Sequence, residues 1–530
     1  MRLMIDSDPN AQSYADVGLW GRATLDALFK RNLARAPDRL AMCDGTERKR
    51  WSGRPALRLT FRQADDIISA LAGRFIELGL RQGSVVAVSL PNCVEAFLTI
   101  LACGRAGLVP AVMPFLWRAS DVSRALEPLA AKALITITRV GDDMPADFMR
   151  YAAAELFAVR YVMAFGADVP DGVMSLDEYL NGVHPRDVRF PPSSDAPADQ
   201  AALITFATQP SGPIAIARSH NHCVCTGLVN VLEVGLEPGD VIATSLMPTG
   251  IASLSASLFP WLLTGGTLLL HQPFDLTGFN ALIEQEKVKH AVVPGAFLND
   301  LAPRIGDGSH RLLRTLIGVH GDGARARAFD PIECKTDIVD VVAFDEFGVA
   351  ARRRRKGVAQ ALTAGPLYHP ADSESGPVLI ETKIGGDGTV MVKGPQVPYS
   401  GKFGEGYRPT TLRVGKHDTS LAVLKRLTGV AYVGGLGVGT GEIEKQLLAS
   451  DDVDAVKVTV VHDPLFGQRI EAQIAPRLNG ATQGEALVQR IQARFASAGI
   501  AAYKTPTMIR IEHRLRGDMH ARQRSVSQGS

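Results

Sequence analysis

From residue 60 onward, segments with a helical hydrophobic period alternate with short β-branched runs, and this alternation restricts the fold more than any other feature. Thr60-Phe61-Arg62-Gln63 has the spacing of a capping box. Behind it Ala64, Ile67, Ile68, Leu71, Phe75 and Leu78 recur at helical intervals, and Gly79 supplies the stop. Gly83 turns the chain into Val85-Val86-Ala87-Val88, which ends at Leu90-Pro91-Asn92. A helix over Val94 to Arg105 and an apolar run at Leu108–Val112 follow, then a helix from Asp121 to Ala131 and a strand at Ala133–Thr136. Strand and helix in turn predict an α/β domain with a largely parallel sheet.

The pattern continues with strands at Val241–Thr244, Thr267–Leu270, His290–Pro294 and Thr315–Gly318. Val241 to Leu270 carries no charge, yet Pro248, Gly250, Pro260 and Gly265-Gly266 cut it into pieces far shorter than the ~20 residues of a spanning helix. It reads as buried core. From about Gly376 the pattern changes to short strands with glycine turns, as in Gly388–Gly394. The last hundred or so residues form a smaller α/β unit: helices at Glu442–Leu448 and Glu485–Ala498, strands at Val456–Val461 and Ile470–Ala475.

At 530 residues the chain is too long for one ordinary core. A formal net charge of +2 advertises neither a nucleic acid nor an anionic membrane. The one dense basic run, Arg352 to Lys356, reads as a surface loop. Six scattered cysteines make no disulfide scaffold and fit a reducing cytoplasm.

Residues Leu203 to His222 read LITFATQPSGPIAIARSHNH: an apolar run, a loop of small residues expected to be flexible, and a returning segment. Pro213, Ile216, Ser219 and His220 fall in register with the TSGTTGxPKGVxxSH pattern of the adenylate-forming superfamily, and the chain resembles its acyl-CoA synthetases. Leu90-Pro91-Asn92, Arg105-Ala106-Gly107 and Pro114-Phe115 match "LPN", "RAG" and "NP"; Gly434-Gly435 through Glu442-Ile443-Glu444 matches "GGxxVxPxEIE"; Tyr503-Lys504-x-Pro506 matches "YKxP". The resemblance implies a large N-terminal domain (1–426) with mostly parallel sheets and a β-rich subdomain, and a small mobile C-terminal α/β domain (427–530). It also implies ATP with Mg²⁺, CoA and a carboxylic acid as ligands.

In such enzymes a carboxylate attacks the α-phosphate of Mg-ATP, and a thiol then takes the acyl group. Catalysis rests on preorganised cations, metal and N–H donors. By motif position the resemblance assigns nucleotide contacts to Thr208, Gln209, Ser211, Gly212, Phe347, Gly348 and Arg426, and the catalytic lysine slot to Arg522. The chain departs from the pattern at each place that supplies charge. Ile214 stands in the loop lysine slot, and Pro210 has no N–H to offer. Ala350 and Ala351 replace the hydroxyl and carboxylate after Phe347-Gly348, Thr410-Thr411-Leu412 replaces the ribose-binding TGD, and Gly429 stands at the hinge. Losing about four charge-assisted hydrogen bonds removes roughly 6–12 kcal/mol, many decades of rate.

Three readings stay open. The chain is a homologue that binds an acyl ligand or thioester with little adenylation, an active acid–CoA ligase whose nucleotide site is rewired around Asp345 or Glu346 and Arg522, or a scaffold for another acyl chemistry. The acid region carries Ile251, Ala252, Leu254, Leu258 and Phe259 and no cation, so a ligand there is expected to be hydrophobic. His220, His222, Cys223 and Cys225 have zinc-ligand chemistry but are packed too closely along the chain, and no metal is assigned. Gly434 to Gly441 fits no dinucleotide motif and reads as a hinge. No nucleic acid and no membrane span are expected, and a homodimer is left open.

Overall fold

The capping box forms as read: Thr60 Oγ1 accepts from the Gln63 N–H at 3.2 Å, and Gln63 Oε1 accepts from the Thr60 N–H at 2.9 Å. The helix Phe61–Glu77 then buries Ala64, Ile67, Ile68, Leu71 and Phe75. Phe61 stacks on Trp261, with ring centroids 5.7 Å apart. This computed structural model describes residues 6–182, 190, 197–305, 311–320, 332–373, 375–402, 406–414, 425–426, 429–463, 467–477, 484–512 and 520–521. It divides into two units. One comprises 1–115, 125–206 and 215–426; the other comprises 116–124, 207–214 and 427–530.

In the first unit, Val85–Val88 pairs in parallel with Val109–Val112 and with Ala133–Ile137, which pairs with Tyr161–Phe165. All four are apolar runs buried on both faces, as a parallel sheet requires. The helix expected over 121–131 is shorter, Ala119–Leu126, and gives way to a 3₁₀ turn at Glu127–Leu129. Pro128 cannot donate to the preceding turn.

The uncharged stretch from Val241 becomes a strand (Val241–Thr244), two buried helices (Ile251–Ala256 and Leu258–Thr264) and a parallel partner strand (Thr267–Leu270). Its sheet runs 348–353, 337–344, 315–320, 290–294, 241–244, 267–270, 40–44, 58–60; it is parallel inside and antiparallel at both edges. An antiparallel sheet of five strands covers Gly365 to Arg426. No helix among the described residues is long and apolar enough to cross a membrane.

The basic run forms the expected surface turn only at Arg355 and Lys356, which are exposed. Arg352 and Arg353 end a strand, and Arg354 is buried on Asp340, with Nε to Oδ2 at 2.8 Å.

In the second unit, Val453–Asp463 and Gly467–Pro476 form a long antiparallel pair. Helices Thr440–Leu448 and Glu485–Ser497 bury Ile443, Leu447, Leu487, Ile491 and Phe495 in its core. Gly434 to Gly441 is no linker. Val430–Val433 and Leu436–Gly439 pair as a hairpin, with Gly434 and Gly435 at φ +58° and +84° in its two-residue turn.

Candidate functional site

The segment expected to be a flexible phosphate loop is itself a hairpin. Strands Ala201–Gln209 and Gly212–Ser219 are neighbours in one sheet, joined by Pro210-Ser211 alone. Proline pre-sets the first turn position, and Gly212 at φ +122° takes the conformation that closes it. In the second unit the tip is covered. A Cβ on Gly437 would lie 1.9 Å from Thr208 Oγ1, and one on Gly439 would lie 2.3 Å from the Gln209 carbonyl oxygen. The Glu442 N–H donates to the Pro210 carbonyl at 3.0 Å. A Cβ on Gly429, at φ +106°, would approach the Pro210 ring to 3.1 Å, so the hinge slot accepts little but glycine. Thr208 and Gln209 are half-buried, Gly212 is buried, Ser211 is exposed, and Ile214 is 39% exposed in the lysine slot.

Beside the tip lies a buried charge cluster. Lys504 Nζ is 2.6 Å from Asp121 Oδ1 and 3.1 Å from Glu442 Oε1, and Arg124 Nη1 reaches Glu442 Oε1 at 2.7 Å. Trp117 Nε1–H donates to the Tyr503 hydroxyl at 3.0 Å, and burial raises that phenol well above its ordinary value. Two cations thus face two carboxylates, so Lys504 and Arg124 are already neutralised. The sequence showed Glu442 and Lys504 only as parts of separate motifs. Their pairing, and Asp121 and Arg124, were missed because the partners lie up to 383 positions apart.

In the first unit, Asp345, Glu346 and Phe347 form the turn between strands Asp337–Phe344 and Gly348–Arg353. Their side chains therefore do not alternate as in a strand. Asp345, at φ +51°, accepts from the Thr411 N–H (2.5 Å) and hydroxyl (2.6 Å). Glu346 Oε2 accepts from the Ile251 N–H at 2.8 Å, at the start of the helix Ile251–Ala256. Burial raises the Glu346 carboxyl, with Arg218 pulling the other way.

Phe347 is buried with the Arg408 guanidinium 4.6 Å from its ring centroid. Gly348 starts the next strand, and a Cβ there would meet Ile380 Cδ1 at 2.9 Å. Ala350 and Ala351 are fully buried in that strand, opposite Val342 and Val341. Arg426 pairs through its backbone with Leu412. Arg522 lies outside the described residues.

Arg218 was not singled out by sequence reasoning, though it follows the matched Ile216. It is fully buried, and Nη1 donates to Thr205 Oγ1 at 2.9 Å. Next to it, Ser219 caps the helix His220–Val234, and His222 completes a capping box with Nδ1 accepting from the Ser219 N–H at 3.0 Å. Burial, then Arg218 and Arg408, lowers His222 to about 3. His220 Nδ1 accepts from the Leu25 N–H at 3.1 Å, and burial lowers it to about 4. Cys225 Sγ donates to the Leu19 carbonyl. The four residues of zinc-ligand type, His220, His222, Cys223 and Cys225, share this buried helix start, and Nδ1 of each histidine accepts from the backbone. Ile251, Leu254, Leu258 and Phe259 are closed into the core; only Ala252 keeps partial exposure.

A family model described as AMP-binding enzyme matches residues 29–324. The chain belongs to the AMP-binding enzyme family. Similar proteins include the pseudomonine synthase PmsE of Pseudomonas entomophila, 26% identical over 94% of this chain and 82% of its own length. A feruloyl-CoA synthase of Amycolatopsis is 26% identical over 86% of this chain and 90% of its own. Among solved structures, the o-succinylbenzoate CoA synthetase of Bacillus subtilis aligns with TM-score 0.67 at 16% identity, covering 92% of this chain and 95% of that one. MbtA of Mycobacterium smegmatis gives 0.61 at 20%, covering 97% and 96%. The expected fold class holds, with large mixed sheets followed by a C-terminal α/β unit.

Proposed function

We propose that this chain uses an acyl-CoA synthetase scaffold to bind a hydrophobic carboxylic acid or its CoA thioester, with little or no adenylation. The observation that carries this reading is the phosphate-loop segment: a short hairpin whose Pro210 carbonyl takes the Glu442 N–H, with Ile214 in the cation slot. A phosphate cradle needs free N–H donors and a cation. Here the neighbouring cations Arg124 and Lys504 are paired with carboxylates. Asp345 and Glu346, the carboxylates that would have to hold Mg²⁺ in place of Ala351, each accept hydrogen bonds from the chain itself. The names of the relatives, a feruloyl-CoA synthase among them, support an aryl or acyl acid and CoA as the ligand classes. The charge-free helices around Ala252 support a hydrophobic one.

The test is a calorimetric titration with Mg-ATP beside ATP–pyrophosphate exchange in the presence of fatty or aryl acids. The reading expects no saturable ATP heat, no exchange, and a thermal shift with acyl-CoA. Micromolar ATP binding with exchange would overturn it in favour of a rewired ligase.

A further inference from the structure

We infer that a recess at the amino ends of the first unit's parallel strands is a binding site for the phosphate group of a small phosphorylated molecule. The recess has a volume of about 310 Å³ and is lined by Arg81, Lys132 and Arg160 together with Ser84, Leu80 and Tyr161. Ser84, Lys132 and Arg160 immediately precede the strands Val85–Val88, Ala133–Ile137 and Tyr161–Phe165. Three crossovers of a parallel sheet thus deliver one cation or hydroxyl each to the same place. The backbone closes it, with the Lys132 N–H donating to the Val85 carbonyl and the Arg160 N–H to the Lys132 carbonyl, both at 2.9 Å.

Three positive charges converge here and no carboxylate lines the recess. Elsewhere in the unit, several buried cations are paired with carboxylates: Arg48 with Glu95, Arg105 with Asp26, Arg354 with Asp340. Arg81, Lys132 and Arg160 make no ion pair or side-chain hydrogen bond among the described residues. Lys132 is half-buried, and the two arginines are exposed at the rim.

The helix Phe61–Glu77 ends nearby, and a helix C-terminus offers cations about half a negative charge. That leaves more than two positive charges uncompensated, and the Leu78 carbonyl is already taken by the Tyr161 hydroxyl at 2.8 Å. A dianionic phosphate balances the remainder. Arginine forks and a lysine are the donors that suit its oxygens. The Tyr161 ring and Leu80 leave an apolar wall for the rest of the molecule. Ligands of open parallel sheets ordinarily sit at the carboxyl ends of the strands, so this site is distinct from the AMP-binding motifs.

The test titrates the full chain with inorganic phosphate and with pyrophosphate at matched ionic strength, read by calorimetry and thermal shift, with sodium chloride as the control. The expected result is a saturable response that chloride does not produce, weakened roughly tenfold or more in Lys132→Gln and again in Lys132→Gln/Arg160→Gln. The melting temperature of the unliganded variants should match the wild type, because neither side chain has a partner to lose. No response at concentrations of order 10 mM would overturn the site. So would binding that survives the double substitution, which would place the anion elsewhere, at the AMP-binding motifs included.

Discussion

Lys504 shows at the scale of one residue how this chain has turned motif positions to structural use. The residue is 1% exposed, and its ammonium is held between Asp121 and Glu442. Removing one partner of a buried ion network typically costs about 3–5 kcal/mol, because the remaining charges stay buried without compensation. Lys504→Met should therefore lower the urea stability of the chain by that amount. Asp121→Asn together with Lys504→Met should cost clearly less than the sum of the two single changes. Additive losses, or a Lys504→Met loss under about 1 kcal/mol, would mean that the cluster is solvated and that Lys504 is available for chemistry after all.

At the scale of elements, the covered hairpin makes a steric prediction. Gly437→Ala places a methyl 1.9 Å from Thr208 Oγ1 and 2.6 Å from Thr208 Cβ, so overpacking should cost about 1–3 kcal/mol. Thr208→Gly in the same chain removes both atoms and should restore part of the loss in thermal denaturation; a penalty unchanged by Thr208→Gly would show that the two strands do not meet. The same hairpin marks what the sequence could tell. The helix Phe61–Glu77 was legible to its capping box because every signal lies within one turn of its start. The strands at 85, 109 and 133 were legible as short apolar runs. The small residues of Ala207 to Gly212 suit a loose loop and a tight turn equally. What selects the turn is Leu436–Gly439, more than two hundred positions away. The glycines of that strand looked like hinge chemistry for the same reason: they are small because another backbone passes over them, which only the packed chain reveals. Thr410-Thr411-Leu412 was read as standing in place of the ribose-binding TGD, and the tie of Thr411 to Asp345 was likewise invisible from either segment alone.

Acid sensitivity belongs to the whole molecule, and His222 gives it a separable component. Burial holds this imidazole at about 3, against an unfolded value near 6.5. Below pH 6.5 the unfolded chain takes up a proton that the folded chain refuses, so the stability contributed by His222 is complete above that value and falls as the pH is lowered toward 3. His220, held at about 4, acts with the same sign. Asp44 acts with the opposite sign. Burial, then Glu95, pushes its carboxyl above the ordinary carboxylate range, so the folded chain keeps its proton to a higher pH than the unfolded chain, and stability falls as the pH rises above about 4. Wild-type profiles therefore mix opposing slopes, and a single substitution must isolate one of them. His222→Gln does so. Glutamine is the ordinary partner of serine in a capping box, and its amide oxygen can replace Nδ1 in accepting the Ser219 N–H. The variant should match the wild type within about 1 kcal/mol at pH 7.5. Below pH 6.5 it should gain on the wild type by up to about 1.4 kcal/mol per pH unit in urea titrations. Parallel wild-type and variant profiles from pH 7.5 to 4.5 would show that His222 charges as freely in the folded chain as in the unfolded one. The helix start at Ser219, with Arg218 and Arg408 near it, would then be open to water, and an open site at that place would readmit an anionic ligand to the AMP-binding motifs.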